Sequence, residues 1–189
     1  MKTIKLVLIT VILGVAGTLN AQVLKADAVK TEITWLGKKV TGQHNGTIKL
    51  KSGELTIDGN AISNGNFVID MTSIACTDIT DPETNAKLVG HLKSDDFFSV
   101  SSYPEAKLVI SENATFDGTT AKVTGNLTIK EITNPVTFEV KKEGNTYQAD
   151  ITVDRSKYNV RYGSGSFFSN LGNNLIYDEF VLGVKLVVE

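Results

Sequence analysis

The sequence predicts an all-β protein built from antiparallel strands. Apolar and polar residues alternate with a period of two in most segments, which is typical of strands with one buried face. Short sequences rich in Gly, Asn, Asp and Ser separate these segments and indicate tight turns. Parallel pairing would need longer, usually helical, crossovers, and only one segment has a convincing helical pattern. We therefore expect an antiparallel meander, a sandwich or an up-and-down barrel.

The N-terminal segment has the features of an export signal. Lys2 and Lys5 precede an apolar run over 6–17, and Ala21 is a small residue at a suitable cleavage point before Gln22. The run is shorter than the roughly 20 apolar residues that a membrane-spanning helix needs. We predict a signal peptide that is cleaved near Ala21/Gln22 and a protein that is periplasmic or secreted. A retained membrane anchor is the alternative.

With residues 1–21 assigned to the signal peptide, residues 22–189 have the length of a single domain. Without Lys2 and Lys5, 17 basic residues stand against 21 acidic residues, so the net charge is −4. This mildly acidic balance argues against nucleic acid as a partner, and no polybasic patch is present for an anionic membrane. Cys76 is the only cysteine, so no internal disulfide can form, and we expect its thiol to be buried.

The predicted strands follow the alternating segments in chain order. The clearest is 122–130, in which Val123, Leu127 and Ile129 would face a core while the intervening polar residues face water. The other strands are expected around 31–38, 45–51, 53–58, 67–71, 106–112, 136–141, 147–154 and 180–188. Turn sequences lie at 51–53, 58–60, 63–66, 117–118 and 143–145.

One helix and one long irregular loop interrupt these strands. Asp81 has the chemistry of an N-cap and Pro82 suits the first helical position, so we expect a short helix that ends at about Lys93. The segment 156–174 is rich in Gly, Ser and Asn and is long for a hairpin loop. Loops of that length are often functional.

About eight to ten strands with one apolar face can close on themselves, and closure removes the exposed edges that invite aggregation. We therefore predict an up-and-down barrel of about eight strands, an architecture that is either filled by side chains or holds one small ligand. Small residues on inward faces, Gly125 and Ala149, favour unfilled volume. An apolar guest is favoured at roughly 25 cal/mol per Å² of surface removed from water, whereas a polar guest would lose hydration.

Three motifs carry a resemblance to a known family, and their order and spacing agree with it. They are His91–Phe98 with Tyr103–Ala106, then Gly125–Lys130 continuing through Thr133–Thr137, and finally Asp154–Val160. Together they resemble the YceI-like family over roughly residues 24–188. The resemblance implies a lipocalin-like barrel, an exported or periplasmic location, and an elongated hydrophobic pocket for polyisoprenoid-type lipids. It does not imply catalysis.

We expect the pocket to be lined by inward-facing strand residues and by aromatic residues beside the helix and the irregular loop. The predicted lining residues are Trp35, Phe67, Ile69, Met71, Phe97, Phe98, Leu127, Ile129, Phe138, Tyr147, Ile151, Phe167, Phe168, Phe180 and Leu182. Adjacent phenylalanines in a strand would face opposite sides, so the two Phe-Phe pairs are expected on loops or at a helix end. Ordinary core packing is the alternative for these aromatic residues.

Four side chains are candidates for contact with a lipid headgroup. His44 and His91 are the only histidines, and Arg155 and Arg161 are the only arginines. A guanidinium matches a phosphate bidentately, and an imidazole can donate to a phosphate or a quinone oxygen. The alternatives are local carbonyl contacts for the histidines and surface ion pairs for the arginines. The two histidines lack the partner spacing of a metal site, so we predict no metal.

The sequence therefore predicts a lipid-binding protein that is not an enzyme. The expected ligand is a long apolar lipid, such as a polyprenyl phosphate or an isoprenoid quinone, with no other cofactor and no nucleic acid partner. Transient membrane contact and a homodimer belong to the same hypothesis. The alternatives are a structural or interaction barrel with a packed interior and, with less support, a hydrolase, since no nucleophile elbow of the Gly-x-Ser-x-Gly type is present.

Overall fold

The computed structural model describes residues 21–189. The predicted signal peptide lies outside this range except for Ala21. The described strands are β1 (Gln22–Lys25), β2 (Glu32–Lys39), β3 (Gly42–Asp58), β4 (Ala61–Cys76), β5 (Glu105–Ile110), β6 (Ala114–Thr115), β7 (Thr120–Ile129), β8 (Ile132–Glu143), β9 (Thr146–Asp154) and β10 (Ile176–Val187). The helical elements are α1 (Pro82–Lys93) and two 3₁₀ turns at Arg155–Tyr158 and Gly172–Asn174.

Eight of the strands form a closed antiparallel barrel. From β2 to β10 each barrel strand pairs with the next one along the chain, with β5 pairing directly with β7, and β10 pairs with β2 to close the ring. The two extra strands pair with the parts of β3 and β4 that lie beyond the ends of their barrel neighbours. β1 pairs with the second half of β3, and β6 pairs with the start of β4. This topology confirms the predicted up-and-down barrel.

The first and last described strands meet at the same place on the barrel. The N–H of Lys25 donates to the carbonyl of Glu189 at 3.0 Å, and the N–H of Glu189 donates back to Lys25 at 2.9 Å. These bonds fasten β1 to the end of β10 near the β8–β9 turn, where the N–H of Val188 donates to the carbonyl of Asn145 at 3.0 Å. The opposite end of the barrel, which we call the mouth, carries the β2–β3 turn, the connection that contains α1, and the segment 155–175.

The predicted turns at 51–53 and 63–66 are wrong, because β3 and β4 run through them as strands of 17 and 16 residues. The glycines that suggested turns instead allow close packing. A Cβ at Gly53 would lie 2.6 Å from the Phe67 ring, and one at Gly65 would lie 2.9 Å from the same ring. The strand pairing shifts register between Leu50 and Ser52, which bends the long hairpin while pairing continues. The predicted turns at 58–60, 117–118 and 143–145 are confirmed.

The helix is built as the sequence predicts. The Asp81 carboxylate accepts the N–H of Thr84 at 2.8 Å, and Pro82 occupies the first helical position, where a missing N–H costs nothing. After the helix, the backbone N–H of Phe98 donates to Leu92 at 3.2 Å, which turns the chain back toward the barrel. Within residues 21–189, no helix combines the length and the apolar character needed to cross a membrane.

The core follows the period-two pattern. Along β7, Ala121, Val123, Leu127 and Ile129 are buried, while the outward-facing Lys122 is exposed. Phe138 and Val140 on β8 and Tyr147, Ile151 and Val153 on β9 are buried on the same inner side.

Candidate functional site

Side chains do not fill the barrel interior. A cavity of about 380 Å³, which we call the main cavity, lies under the mouth, and its wall is mostly apolar. Residues of α1, the strand β2 and the segment 155–177 form its rim. The wall includes Ile33, Trp35, Ile48, Ile69, Met71, Leu92, Phe97, Phe98, Leu127, Ile129, Phe180 and Leu182. The interior is therefore not packed solid, which contradicts the alternative of a solid barrel.

A second cavity of about 100 Å³, the inner cavity, continues away from the mouth. The two cavities share the wall residues Ile33, Ile69, Leu127 and Leu182. Along β10 the wall passes from Ile176, Phe180 and Leu182 in the main cavity to Leu182, Val184 and Leu186 in the inner cavity. The two cavities therefore lie end to end along the barrel. We call them together the tunnel, and we call the four shared residues that stand between them the neck.

Most of the predicted lining residues lie in this tunnel. Those in the wall of the main cavity are Trp35, Ile69, Met71, Phe97, Phe98, Leu127, Ile129, Phe180 and Leu182. Phe67, Phe138, Tyr147 and Ile151 line only the inner cavity. The period-two pattern thus identified the inward faces, although contact of these residues with a ligand stays a prediction.

Phe167, Phe168 and Arg161 line neither cavity, which corrects their predicted place in the site. The N–H groups of both phenylalanines donate to the carbonyl of the buried Ser164, at 3.2 and 3.0 Å, and this turn holds the pair outside the barrel. The Arg161 guanidinium lies 4.6 Å from the ring centre of Phe167. Arg161 and the two rings therefore form a cation–π cluster at the surface.

Arg155 reaches the wall of the main cavity, but its donors are already used. The side chain is only 2% exposed, and it donates to four backbone carbonyls: Val160 and Tyr162 at 2.9 Å, Ile176 at 3.0 Å and Tyr177 at 3.2 Å. These bonds join the segment after β9 to the start of β10. Burial lowers the pKa of Arg155 from its ordinary value, and nearby carboxylates partly offset this effect.

The carboxylate of Asp178 lies between the Arg155 guanidinium and the Ser166 hydroxyl. Its Oδ1 lies 3.4 Å from Nη2 of Arg155 and has no hydrogen bond within the part of the chain that the structure describes. Its Oδ2 accepts the Ser166 hydroxyl at 2.7 Å. Because the guanidinium also lies 5.3 Å from the Phe97 ring centre, Arg155 positions the aromatic wall and the rim of the mouth. Headgroup contact by Arg155 stays a prediction.

His44 lies in the wall of the main cavity, and Asp78 fixes its orientation. Nδ1 of His44 lies 3.0 Å from Oδ2 of Asp78, and Oδ1 of the same carboxylate accepts the Asn45 N–H and the Cys76 thiol, both at 3.1 Å. Burial alone would raise the pKa of Asp78, but hydrogen bonds from its three neighbours lower it to about 2. Burial and the bond to Asp78 raise the pKa of Cys76, so this buried thiol is protonated and unreactive.

His91 lies in the last turn of α1 and packs against the segment 155–175. Its ring centre lies 4.3 Å from that of Tyr162 and 5.7 Å from that of Phe97, both in edge-to-face geometry. All three side chains lie in the wall of the main cavity. His91 therefore closes one side of the mouth by aromatic packing, and a headgroup role for it stays a prediction.

The sequence interpretation missed Lys39, whose side chain lies in the wall of the main cavity. The predicted strand stopped at Lys38, whereas β2 continues through Lys39. The alternation of Ile33, Trp35 and Gly37 would have placed residue 39 on the inward face, so the signal was present. Within residues 21–189, no cluster of three or more His, Cys, Asp or Glu side chains has the geometry to hold a metal ion.

Residues 24–188 match the family model described as the YceI-like domain, which confirms the resemblance carried by the three motifs. The UPF0312 protein of Pseudomonas putida strain W619 is 32% identical over 100 residues, which are 53% of this chain and 50% of that protein. Protein YceI of Escherichia coli strain UMN026 is 35% identical over 102 residues, which are 52% and 49% of the two chains. The match spans about half the length of these curated relatives.

Two solved structures share the fold. The structure of BcnA from Burkholderia cenocepacia superposes with a TM-score of 0.68 at 25% identity, covering 87% of this chain and 99% of that one. A polyisoprenoid binding domain from Saccharophagus degradans, implicated in plant cell wall breakdown, superposes with a TM-score of 0.56 at 15% identity, covering 88% and 97%. At that identity the second likeness concerns the fold alone.

Proposed function

We propose that this chain, which belongs to the YceI-like family, binds one long-chain apolar lipid inside its barrel. The lipid is of the polyisoprenoid or isoprenoid quinone class, and the protein carries, stores or sequesters it without chemical change. The observation that carries the proposal is the apolar tunnel made of the adjacent main and inner cavities. The related domain from Saccharophagus degradans, described as polyisoprenoid binding, supports the choice of lipid class.

The distribution of polarity along the tunnel favours an amphiphile with a long tail. The inner cavity is lined by aliphatic and aromatic residues, and among the described residues only Thr31 and Tyr147 bring a hydroxyl group to its wall. Charged and amide side chains line only the main cavity, where Lys38, Lys39, Asn173 and Asn174 lie at the mouth. A tail inside the tunnel loses water at a gain of roughly 25 cal/mol per Å², while the polar head stays near solvent.

The dimensions suit an extended chain. The main cavity, at about 380 Å³, lies within the range of ordinary ligand pockets, and the inner cavity of about 100 Å³ prolongs it. Lining residues on β10 extend from Ile176 to Leu186. At about 3.3 Å per residue this stretch spans roughly 33 Å along the strand, so a linear tail fits better than a compact ligand.

Native mass spectrometry of protein purified without detergent from its own host tests the proposal. We expect a fraction of the protein to carry one non-covalent adduct, which solvent extraction releases and which tandem mass spectrometry identifies as an isoprenoid lipid. The extracted protein should take up the same lipid again at one molecule per chain. Repeated recovery of protein that is empty and does not take up isoprenoid lipids would contradict the proposal.

Three further parts belong to this proposal. Export with cleavage near Ala21/Gln22 would place the barrel in the periplasm or outside the cell, and N-terminal sequencing of the protein from its host tests this. Transient membrane contact would let the tail pass between a bilayer and the mouth, and transfer of a labelled lipid between vesicles measures it.

A homodimer is tested by sedimentation of the purified protein.

A further inference from the structure

The wall of the main cavity is basic at its rim. Lys38, Lys39 and Arg155 line it, and no Asp or Glu does so among residues 21–189. Four backbone carbonyls and the nearby Asp178 already compensate the Arg155 charge. The two adjacent lysines of β2 therefore give the mouth a positive charge that no protein carboxylate in the wall offsets.

Lys39 stands out when the half-buried lysines are compared. The described chain has four of them, and three have partners for the ammonium group. Lys93 donates to the Thr72 carbonyl at 2.7 Å, Lys130 donates to the Phe97 and Asn159 carbonyls, and Lys142 lies over two aromatic rings. Lys39 has no hydrogen bond or ion pair within residues 21–189, although a half-buried charge normally has a partner.

The strand register places Lys39 and His44 around an open space. Lys39 pairs with Gly42, and Gly37 pairs with His44, so the two side chains are diagonal neighbours on adjacent strands. Diagonal neighbours lie about 7–8 Å apart, a separation that both side chains can bridge through one ligand group. A Cβ added at Gly37 or Gly42 would meet no atom within 4 Å, so the glycines leave this corner of the mouth empty.

His44 suits a phosphate ester with a P–O–H group better than a quinone carbonyl. When the neutral imidazole donates from Nδ1 to Asp78, its Nε2 carries a lone pair and cannot donate to a quinone oxygen. A phosphate monoester that keeps one P–O–H group can donate that hydrogen to the Nε2 lone pair, whereas a quinone has no hydrogen to donate.

We infer that Lys39 and His44 bind a phosphate or diphosphate ester that forms the head of the tunnel's lipid. The inference rests on the proposed function and narrows it to anionic isoprenoid lipids. The Lys39 ammonium supplies charge and hydrogen bonds to the phosphoryl oxygens, and the partly desolvated mouth strengthens both relative to open solvent.

Two probe lipids that share the same tail isolate the contribution of the headgroup to the affinity. Geranylgeranyl phosphate and geranylgeraniol differ only in the phosphate group, and inorganic phosphate supplies the head without the tail. Trp35 reports binding by its fluorescence, because it is the only tryptophan in the sequence and it lies in the cavity wall. The variants are Lys39→Gln, the charge-retaining Lys39→Arg, and Lys49→Gln, a control at an exposed lysine on the outer face of β3.

We expect the unaltered protein to bind the phosphate ester about tenfold more tightly than the alcohol, a preference that falls as salt is added. Lys39→Gln should remove most of this preference and leave the affinity for the alcohol within about twofold, while Lys39→Arg and Lys49→Gln retain it. Equal affinities of the unaltered protein for the two lipids, or an unchanged preference in Lys39→Gln, would overturn the inference but leave lipid binding intact. Binding of inorganic phosphate as tight as that of the ester would also overturn it. Failure of both lipids to bind would instead contradict the proposed function itself.

Discussion

His44 and Asp78 are joined at the rim of the mouth by a 3.0 Å contact between Nδ1 and Oδ2, which ties β3 to the segment that follows its neighbour β4. The pKa of Asp78 is about 2, below its ordinary value of 3.8, because hydrogen bonds to the charged form outweigh the effect of burial. The ionised carboxylate therefore favours the folded state. Its contribution is complete above about pH 4 and is lost as the pH falls toward 2.

Replacement of Asp78 by Asn tests this contribution. We expect Asp78→Asn to lower the free energy of unfolding by about 1–3 kcal/mol at pH 7, because three donors lose an ionised acceptor. The difference from the unaltered protein should shrink between pH 4 and pH 2. Urea denaturation across this range measures it, with Asp96→Asn at an exposed position as the control. A difference that does not depend on pH would refute the electrostatic origin.

Arg155 and Arg161 should respond differently to the same substitution. Arg155→Lys leaves several of four buried or half-buried carbonyls without a donor, so we expect a loss of about 3 kcal/mol or more in the free energy of unfolding. Arg161→Lys keeps a cation beside exposed aromatic rings and should change stability by about 0.5 kcal/mol or less. Chemical denaturation of both variants gives the values. Similar small effects at the two positions would show that Arg155 does not hold the rim.

Gly46 should be intolerant of any side chain. A Cβ there would overlap the Ala75 carbonyl oxygen and lie 2.7 Å from the Trp35 ring, whose Nε1 donates to that same carbonyl. Gly46→Ala is expected to lower stability by about 3 kcal/mol or more and to change the Trp35 fluorescence. Gly90→Ala in α1 meets open space and should stabilise by up to about 1 kcal/mol. A tolerated Gly46→Ala would disprove this packing.

The neck of the tunnel offers a test of tail length. Leu182 lines both cavities, so Leu182→Trp should fill the neck and separate them. We expect affinity for a long isoprenoid to fall about tenfold or more, while a tail short enough for the main cavity retains most of its affinity. Val181→Trp is the matched control, because Val181 directly precedes Leu182 and lies on the outer face of β10. Equal losses for short and long tails would argue against passage through the neck.

Cys76 should react slowly in the folded protein. Its thiol is buried, and its raised pKa lowers the thiolate fraction that alkylating reagents need. We expect iodoacetamide to modify it at least about a hundredfold more slowly than in urea, where the thiol has an ordinary pKa and full access. Mass spectrometry of timed samples gives both rates. Rapid native labelling would mean that the segment around Cys76 opens readily.

The barrel could be predicted because its inner faces obey a simple period. Val123, Leu127 and Ile129 alternate with polar residues, so the sequence of this strand already separates its buried face from its exposed face. The turns predicted at 51–53 and 63–66 failed because Gly53 and Gly65 serve a tertiary purpose, the close approach of Phe67, which local sequence cannot distinguish from a turn. Confirmed turns such as that at Gly144 have a positive φ, here 59°, which is a local requirement.

The site was harder to predict where it depends on loops. Phe167 and Phe168 were placed in the tunnel from their neighbourhood in sequence, but the turn at Ser164 and the stack on Arg161 direct them outward. The buried position of Arg155 depends on carbonyls from two segments that meet only in the folded barrel. Lys39 was missed for a simpler reason, since extension of the predicted strand by one residue would have placed it inside.

The paired ends at Lys25 and Glu189 mean that the ring of strands has no obligatory starting point. A circular permutant that connects residue 189 to residue 22 through a short added loop and opens the chain at Gly144 would retain the pairing of all eight barrel strands. Its new termini would lie at the β8–β9 turn, at the end of the barrel opposite the mouth. Such a molecule could be tethered to a solid support by either terminus with its opening directed into solution.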